Sequence, residues 1–295
     1  MSEPPVDMRD AAAVVATLRD AAAAMLDSPL RRGCHVRIPA RGRLLATGDL
    51  HDNPVHYQRV IDAARLDRSP DHHVTLHELI HGERLLNGMD FSHRMLVRVA
   101  SLVLQRPTQV HPILANHELS QLTGAGVSKG AGNSVELFRD AVEFAFGDDA
   151  DEVDAALGAF IAAMPLAVVA GEGGPRPVLC AHSLPSATTM KMFDPAILER
   201  PLEPEDRVRP DGAAYLMTWG RGYDAASAAT LAEAWGVSWF VLGHQHVDAG
   251  IECVHERCVV LNSDHEAARV LPIDLADPPA PAETPMYAMP LASLG

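Results

Sequence analysis

The sequence predicts a layered α/β fold, and three observations predict it. Short apolar runs of aliphatic or β-branched residues recur along the chain, each run ends abruptly in a polar cluster, and helical patterns fill the intervals. The runs sit within RLLATGDLHDN, HHVTLHELIHG, VHPILANHELS, RPVLCAHSLPS, VSWFVLGHQHV and CVVLNSDHE. Runs this short, bounded by turn residues, read as buried strands. The intervals 91–105, 135–146, 153–164 and 225–235 carry helical spacing. Strand and helix in alternation imply helices layered on sheet.

The remaining elements follow in order. Residues 7–27 are Ala-rich with Asp near the start and read as a helix, so residues 1–30 form an N-terminal helical segment ahead of a domain over 31–275. Residues 124–134 (GAGVSKGAGNS) lack the Gly-Lys-Ser/Thr order of a phosphate-binding loop and read as a flexible loop. Residues 276–295 are Pro-rich and are expected to be a tail without stable structure.

Composition removes several function classes. Apolar residues make up 47% of the 295, enough to build a sizeable core. The formal net charge of -15, with no run of Lys or Arg, argues against a long nucleic acid as partner. Cys34, Cys180, Cys253 and Cys258 form no CxxC pair, and Cys180 lies inside an apolar run as a buried thiol would. Charged residues interrupt the Ala-rich N-terminus, and no stretch approaches the ~20 apolar residues of a membrane span. The expectation is a cytoplasmic protein with no membrane partner.

The polar clusters at the strand ends carry the chemistry, because ligands in open α/β sheets bind there. Asp49 and His51 follow the first run one residue apart, so strand alternation points both the same way. Glu78 follows the second run and offers a carboxylate able to bridge two ions. Asn116 and His117 follow the third, His182 the fourth, and His244 and His246 the fifth, again with a period of two. Imidazole with carboxylate and amide oxygen suits manganese, iron or zinc. Two such ions a few Å apart clamp a phosphoryl group and make hydroxide available near neutral pH.

The blocks GDLH (48–51), HEL (77–79), ANHE (115–118), AHS (181–183) and GHQH (243–246) stand in order after successive strands. Together they resemble the calcineurin-like metallophosphoesterases, whose pattern is GDxH, GD, GNH[DE], a lone His and GHxH. The resemblance runs from about residue 43 to 265. It implies the metallo-dependent phosphatase fold, a four-layer α/β/β/α sandwich of two mixed sheets flanked by helices. Within the family the protein Ser/Thr phosphatase branch looks closest, through FIAAMPLAVVA ahead of RPVLCAHS and through TWGRGYD ahead of VLGHQHV. The resemblance implies that Asp49, His51 and His246 hold one divalent ion and Asn116, His182 and His244 a second, with Glu78 between them. By the same resemblance His117 is a general acid and Arg221 grips the substrate phosphate with its planar fork.

Some positions depart from the pattern. Glu78, with His77 before it, stands where the family has Asp preceded by Gly. His81 and Gly82 stand where the phosphatase branch has the Asp that orients the general acid and an Arg. Asp52 or Glu83 is a candidate for the first role and Arg84 for the second. The reading is a phosphomonoesterase acting on a phosphorylated protein or small phosphorylated metabolite. A phosphodiesterase or nucleotide-polyphosphate hydrolase on the same scaffold is the alternative, and a non-catalytic metal-binding scaffold the third.

Overall fold

The apolar runs become the centres of two mixed sheets. The computed structural model describes residues 6–126, 128–129 and 132–294. In chain order its strands are β1 (Arg31–Arg32), β2 (His35–Pro39), β3 (Arg43–Thr47), β4 (His72–His77), β5 (Val110–Ile113), β6 (Ser128–Lys129), β7 (Gly132–Asn133), β8 (Ala167–Glu172), β9 (Val178–Ala181), β10 (Trp239–Leu242), β11 (Ile251–His255), β12 (Cys258–Leu261), β13 (Arg269–Asp274) and β14 (Met289–Pro290). Its helices are α1 (Ala11–Leu26), α2 (Pro54–Ala64), α3 (His93–Gln105), α4 (Asn116–Thr123), α5 (Ser134–Phe146), α6 (Ala150–Ala163), α7 (Ala213–Trp219), α8 (Ala225–Trp235) and α9 (Thr284–Tyr287).

One sheet runs β1-β2-β8-β9-β10-β12-β11 and the other β14-β13-β3-β4-β5. The central pairs β3–β4, β4–β5, β9–β10 and β10–β12 are parallel, so their C-terminal ends emerge together. Between the sheets lies an apolar layer that includes Leu44, Ala46, Val168, Cys180, Trp239, Val241 and Leu271. Alternate residues such as Leu45, Val74, Leu76, Leu179 and Phe240 point outward and join the helices in a second core. Helix α2 lies against β3 and β4, and α3 against β5. Trp235 of α8 meets Phe240 of β10 edge to face, with ring centroids 6.2 Å apart. The layering is therefore helix, sheet, sheet, helix.

Helix α1 begins later than its composition suggests. Asp10 is extended (φ -91°) and its side chain accepts from the Ala13 amide, so capping sets the start. The Gly-rich segment is partly outside the described residues, at 127, 130 and 131. Its flanks β6 and β7 pair as a short antiparallel ladder. All four cysteines are free, and among the described residues no helix is long and apolar enough to cross a membrane.

The C-terminal tail departs from expectation. Rather than lacking structure, it forms a 3-10 turn and α9, then adds β14 to the edge of β13. The Leu291 amide donates to the Ala268 carbonyl at 2.8 Å, and the Leu291 side chain is fully buried. Proline restricts the chain but does not prevent an apolar residue from docking, and Leu291 supplies the anchor. Leu291→Ala is expected to lower stability by about 2 to 5 kcal/mol in urea unfolding, the range for a buried leucine truncated in a core.

Sheet pairing also buries polar groups. His73 on β4 and His111 on β5 stack with ring centroids 5.4 Å apart, and His73 Nδ1 lies 3.0 Å from the Thr108 carbonyl. Burial pushes the His73 pKa down to about 4 and the His111 pKa down to about 3, so both are neutral in the folded protein. Their contribution to stability is present above the ordinary imidazole pKa and is lost as pH falls through the folded values. Urea midpoints are expected to decline from pH 6.5 toward pH 4. His111→Leu should make that decline shallower; an identical slope in the variant would count against these two imidazoles as its source.

Candidate metal centre

The polar strand ends meet at the edge where the parallel strands of both sheets terminate. Asp49 follows β3 and Gly48. Its backbone bridges His77 at the end of β4 and Asn262 just beyond β12, so one residue touches both sheets. Glycine is required at 48, where a Cβ would lie 1.7 Å from the Leu261 carbonyl oxygen. The Asp49 carboxylate accepts from the His244 amide at 3.0 and 3.2 Å, which ties it to the loop after β10. Gly243 makes that approach possible, since a Cβ there would lie 2.3 Å from Asp49 Oδ1.

The other side chains converge on the same point. His182 Nε2 lies 2.5 Å from Asn116 Oδ1, 3.2 Å from His244 Nδ1 and 3.3 Å from Glu78 Oε2. Glu78 Oε1 is 3.2 Å from His117 Nε2 and 3.9 Å from His51 Nε2. Asp49, Glu78, Asn116, His117, His182 and His244 are all buried. With His51 and His77 they form three groups whose ligand atoms lie within 4.8 Å of one another: Asp49 with His77 and His182, His51 with Glu78 and His117, and Glu78 with His182 and His244.

Backbone strain marks the same place. Of the seven non-glycine residues with positive φ among those described, His51, Asp52, Glu78, His81 and His244 lie in the loops that build the site. Such conformations cost on the order of 1–3 kcal/mol each and persist where the surroundings impose them.

The donor set fits a divalent cation. His182 Nε2 faces Asn116 Oδ1, Glu78 Oε2 and His244 Nδ1 at once, a crowding of donor atoms that one ring nitrogen does not satisfy by hydrogen bonding alone. Among the described residues neither ring nitrogen of His77, nor His244 Nε2, has a hydrogen-bond partner. Burial holds the pKa of His77 and of His244 down at about 3, with the Arg221 charge adding to the effect at His244. Burial, then the charges of neighbouring imidazoles, push His182 down as well. These rings are therefore neutral, the form that binds metals. Glu118, from the same ANHE block, has a different task. Its Oε1 accepts from the Leu79 and Ile80 amides at 2.7 and 3.3 Å and fixes the loop after β4.

Two predicted residues stand at the rim. His246 is exposed, its Nε2 3.2 Å from Asp248 Oδ1 and its ring 4.8 Å from that of His265, and none of the three groups contains it. Arg221 is exposed and close enough to bear on the titration of His244. Of the candidates for orienting His117, Asp52 pairs with Arg84 at 2.9 Å, and Glu83 is exposed.

Several residues gained no role from sequence alone. His81 Nδ1 lies 2.7 Å from Asp90 Oδ2, and its ring centroid is 5.4 Å from that of His117, so a buried carboxylate stands behind His117 through a second imidazole. Asp264 Oδ2 lies 3.9 Å from His51 Nε2. The signal for Asp264 was present, because NSDHE is a sixth polar cluster at a strand end. His77, which stands where the family pattern has Gly, fills the inner face of β4.

The calcineurin-like phosphoesterase family model matches residues 42–248. No curated protein matches the chain by sequence. Among solved structures, a Saccharomyces cerevisiae protein serine/threonine phosphatase with similarity to human phosphatase PP5 superposes with a TM-score of 0.62 at 13% identity, covering 90% of this chain and 82% of that one. A cold-active protein-tyrosine phosphatase of a psychrophilic Shewanella species superposes at 0.58 with 14% identity, covering 85% and 81%. At these identities the superpositions show the shared fold. The family match spans most of the chain, which therefore belongs to the calcineurin-like phosphoesterases and is a phosphoric ester hydrolase.

Gly243→Ala tests how closely the centre is built. The added methyl would displace the Asp49 carboxylate, so Zn²⁺ or Mn²⁺ affinity should fall at least about tenfold by calorimetric titration. Unchanged affinity in a folded variant would mean that the Asp49 position does not depend on Gly243.

Proposed function

Proceeding from that membership, we propose that the protein is a metal-dependent phosphomonoesterase acting on a phosphorylated protein or a small phosphorylated metabolite. The observation that carries this reading is the convergence of carboxylate, amide and imidazole donors from both sheets, with the Arg221 charge acting on His244. In this reading two divalent ions, manganese first with iron or zinc as alternatives, occupy the centre. Asp49, His51 and His246 would hold one, and Asn116, His182 and His244 the other, with Glu78 between. His246 would exchange its Asp248 partner for the ion. When bound, such ions supply Lewis-acid charge to phosphoryl oxygens and acidify a water.

The chain's own residues do the rest. Arg221, in the exposed segment after α7, would receive two phosphate oxygens in its fork and orient the phosphorus toward the centre. His117 Nε2 faces the site beside Glu78 and would deliver a proton to the departing oxygen. Asp90 and His81 would hold the imidazole of His117 from behind. Beside the centre Trp219 meets His244 edge-on, with centroids 6.1 Å apart. Trp219 also lines a cavity of 480 Å³ with Leu119, Ser120, Arg207, Arg209 and Tyr215. That cavity would receive the organic part of a substrate, and its arginines favour one with a further negative charge.

Purified protein with Mn²⁺ should hydrolyse p-nitrophenyl phosphate in preference to bis-p-nitrophenyl phosphate, and EDTA should abolish turnover. Asp49→Asn should lower kcat at least about 100-fold, and His117→Asn by about 10² to 10⁴, the range for general acid catalysis. A protein inactive with manganese, iron and zinc would overturn the proposal. Preference for the diester would move the activity to the diesterase alternative.

A further inference from the structure

His77 is the last residue of β4, where His77 and Ile113 of β5 are paired in register. Val74 and Leu76 point out toward the helices, so alternation turns His77 inward, to the upper end of the apolar layer between the sheets. The side chain is fully buried, and neither ring nitrogen has a hydrogen-bond partner among the described residues. An unsatisfied buried polar group destabilises the fold, and this one has two such atoms. An apolar residue would remove that cost without losing the packing.

The ring is not isolated from donors. A Cβ on Gly243 would lie 3.3 Å from His77 Nδ1 and 2.3 Å from Asp49 Oδ1, so the two atoms share one small space behind the loop after β10. His182 closes it, its ring T-shaped to His77 at 6.3 Å and its Nδ1 3.5 Å from Asp49 Oδ1. His182 Nδ1 also has no hydrogen-bond partner among the described residues. Imidazole nitrogens of His77 and His182 that lack hydrogen-bond partners among the described residues therefore face one buried carboxylate, which itself accepts from the His244 amide.

We propose that His77 is a metal ligand, completing with Asp49 and His182 an inner donor set for a divalent transition-metal ion. The inner set rests on the reading above and revises it at one ligand: His182, placed there with Asn116 and His244, would serve the Asp49 ion through Nδ1, which lies 3.5 Å from Asp49 Oδ1. An inward His77 draws the centre toward the inter-sheet layer, while His246 stands outside at the rim. Imidazole-rich sets of this kind select zinc, iron or manganese over calcium or magnesium.

His77→Leu tests the assignment, because leucine restores apolar packing and offers no ligand atom. Metal content by mass spectrometry and calorimetric titration with Zn²⁺ should show one ion lost or bound at least about tenfold more weakly than in the unaltered protein. The metal-free variant should melt no lower than the metal-free unaltered protein. A purely structural histidine would give the opposite pair, unchanged metal binding and a lower melting temperature, and that result overturns the proposal. Should the variant fail to fold, ¹⁵N-histidine spectra of the unaltered protein decide the matter: a His77 ring nitrogen, assigned through its backbone, should shift on Zn²⁺ addition, and a static signal overturns the assignment. Both readouts count ions rather than turnover, so an inactive protein that still loses an ion with His77 would sink the hydrolase reading and leave the ligand in place.

Discussion

Asp49 is the residue on which the rest of the site depends, because its backbone bridges one sheet at His77 and the other at Asn262. Two sheets packed face to face could slide relative to each other and still bury their inner side chains. The double bridge fixes them where the parallel strands end, and the Asp49 carboxylate adds the β10 loop through the His244 amide. Gly48 and Gly243 are the steric conditions of that junction, each standing where a methyl group would strike a neighbour. The glycines of the two short motifs are thus explained by approach distances within this chain.

Much of this was legible because buried parallel strands leave apolar runs that stop sharply. The runs at β3, β4, β5, β9, β10 and β12 are of this kind, and the helix expected over 225–235 is the extent of α8. β13 was harder, since RVLPID carries a proline inside a short run, and the tail hid its one anchor, Leu291, among prolines. Local composition does not record whether an apolar residue has somewhere to dock.

The site was legible as a set of strand ends but not in its fine geometry. Period-two spacing sends His244 and His246 in one direction only while the chain is extended. His244 has φ 67°, which breaks the alternation and leaves His246 facing Asp248 and His265. Asp90 lies nine residues beyond His81 across an irregular loop, and no periodic pattern links them. His77 was hidden for a different reason, because a histidine closing an apolar run looks the same whether it turns inward or to solvent.

The left-handed residues crowded into the loops after β3, β4 and β10 have a consequence for the protein's persistence. Backbone held in such conformations is the first to relax when whatever holds it is withdrawn. Cations bound between those loops would act as sutures as well as reagents, since a ligand that binds only the folded state stabilises it by mass action. The lifetime of the chain would then follow the metal supply, and a shortage of ions would be felt as turnover of the protein as well as slow chemistry.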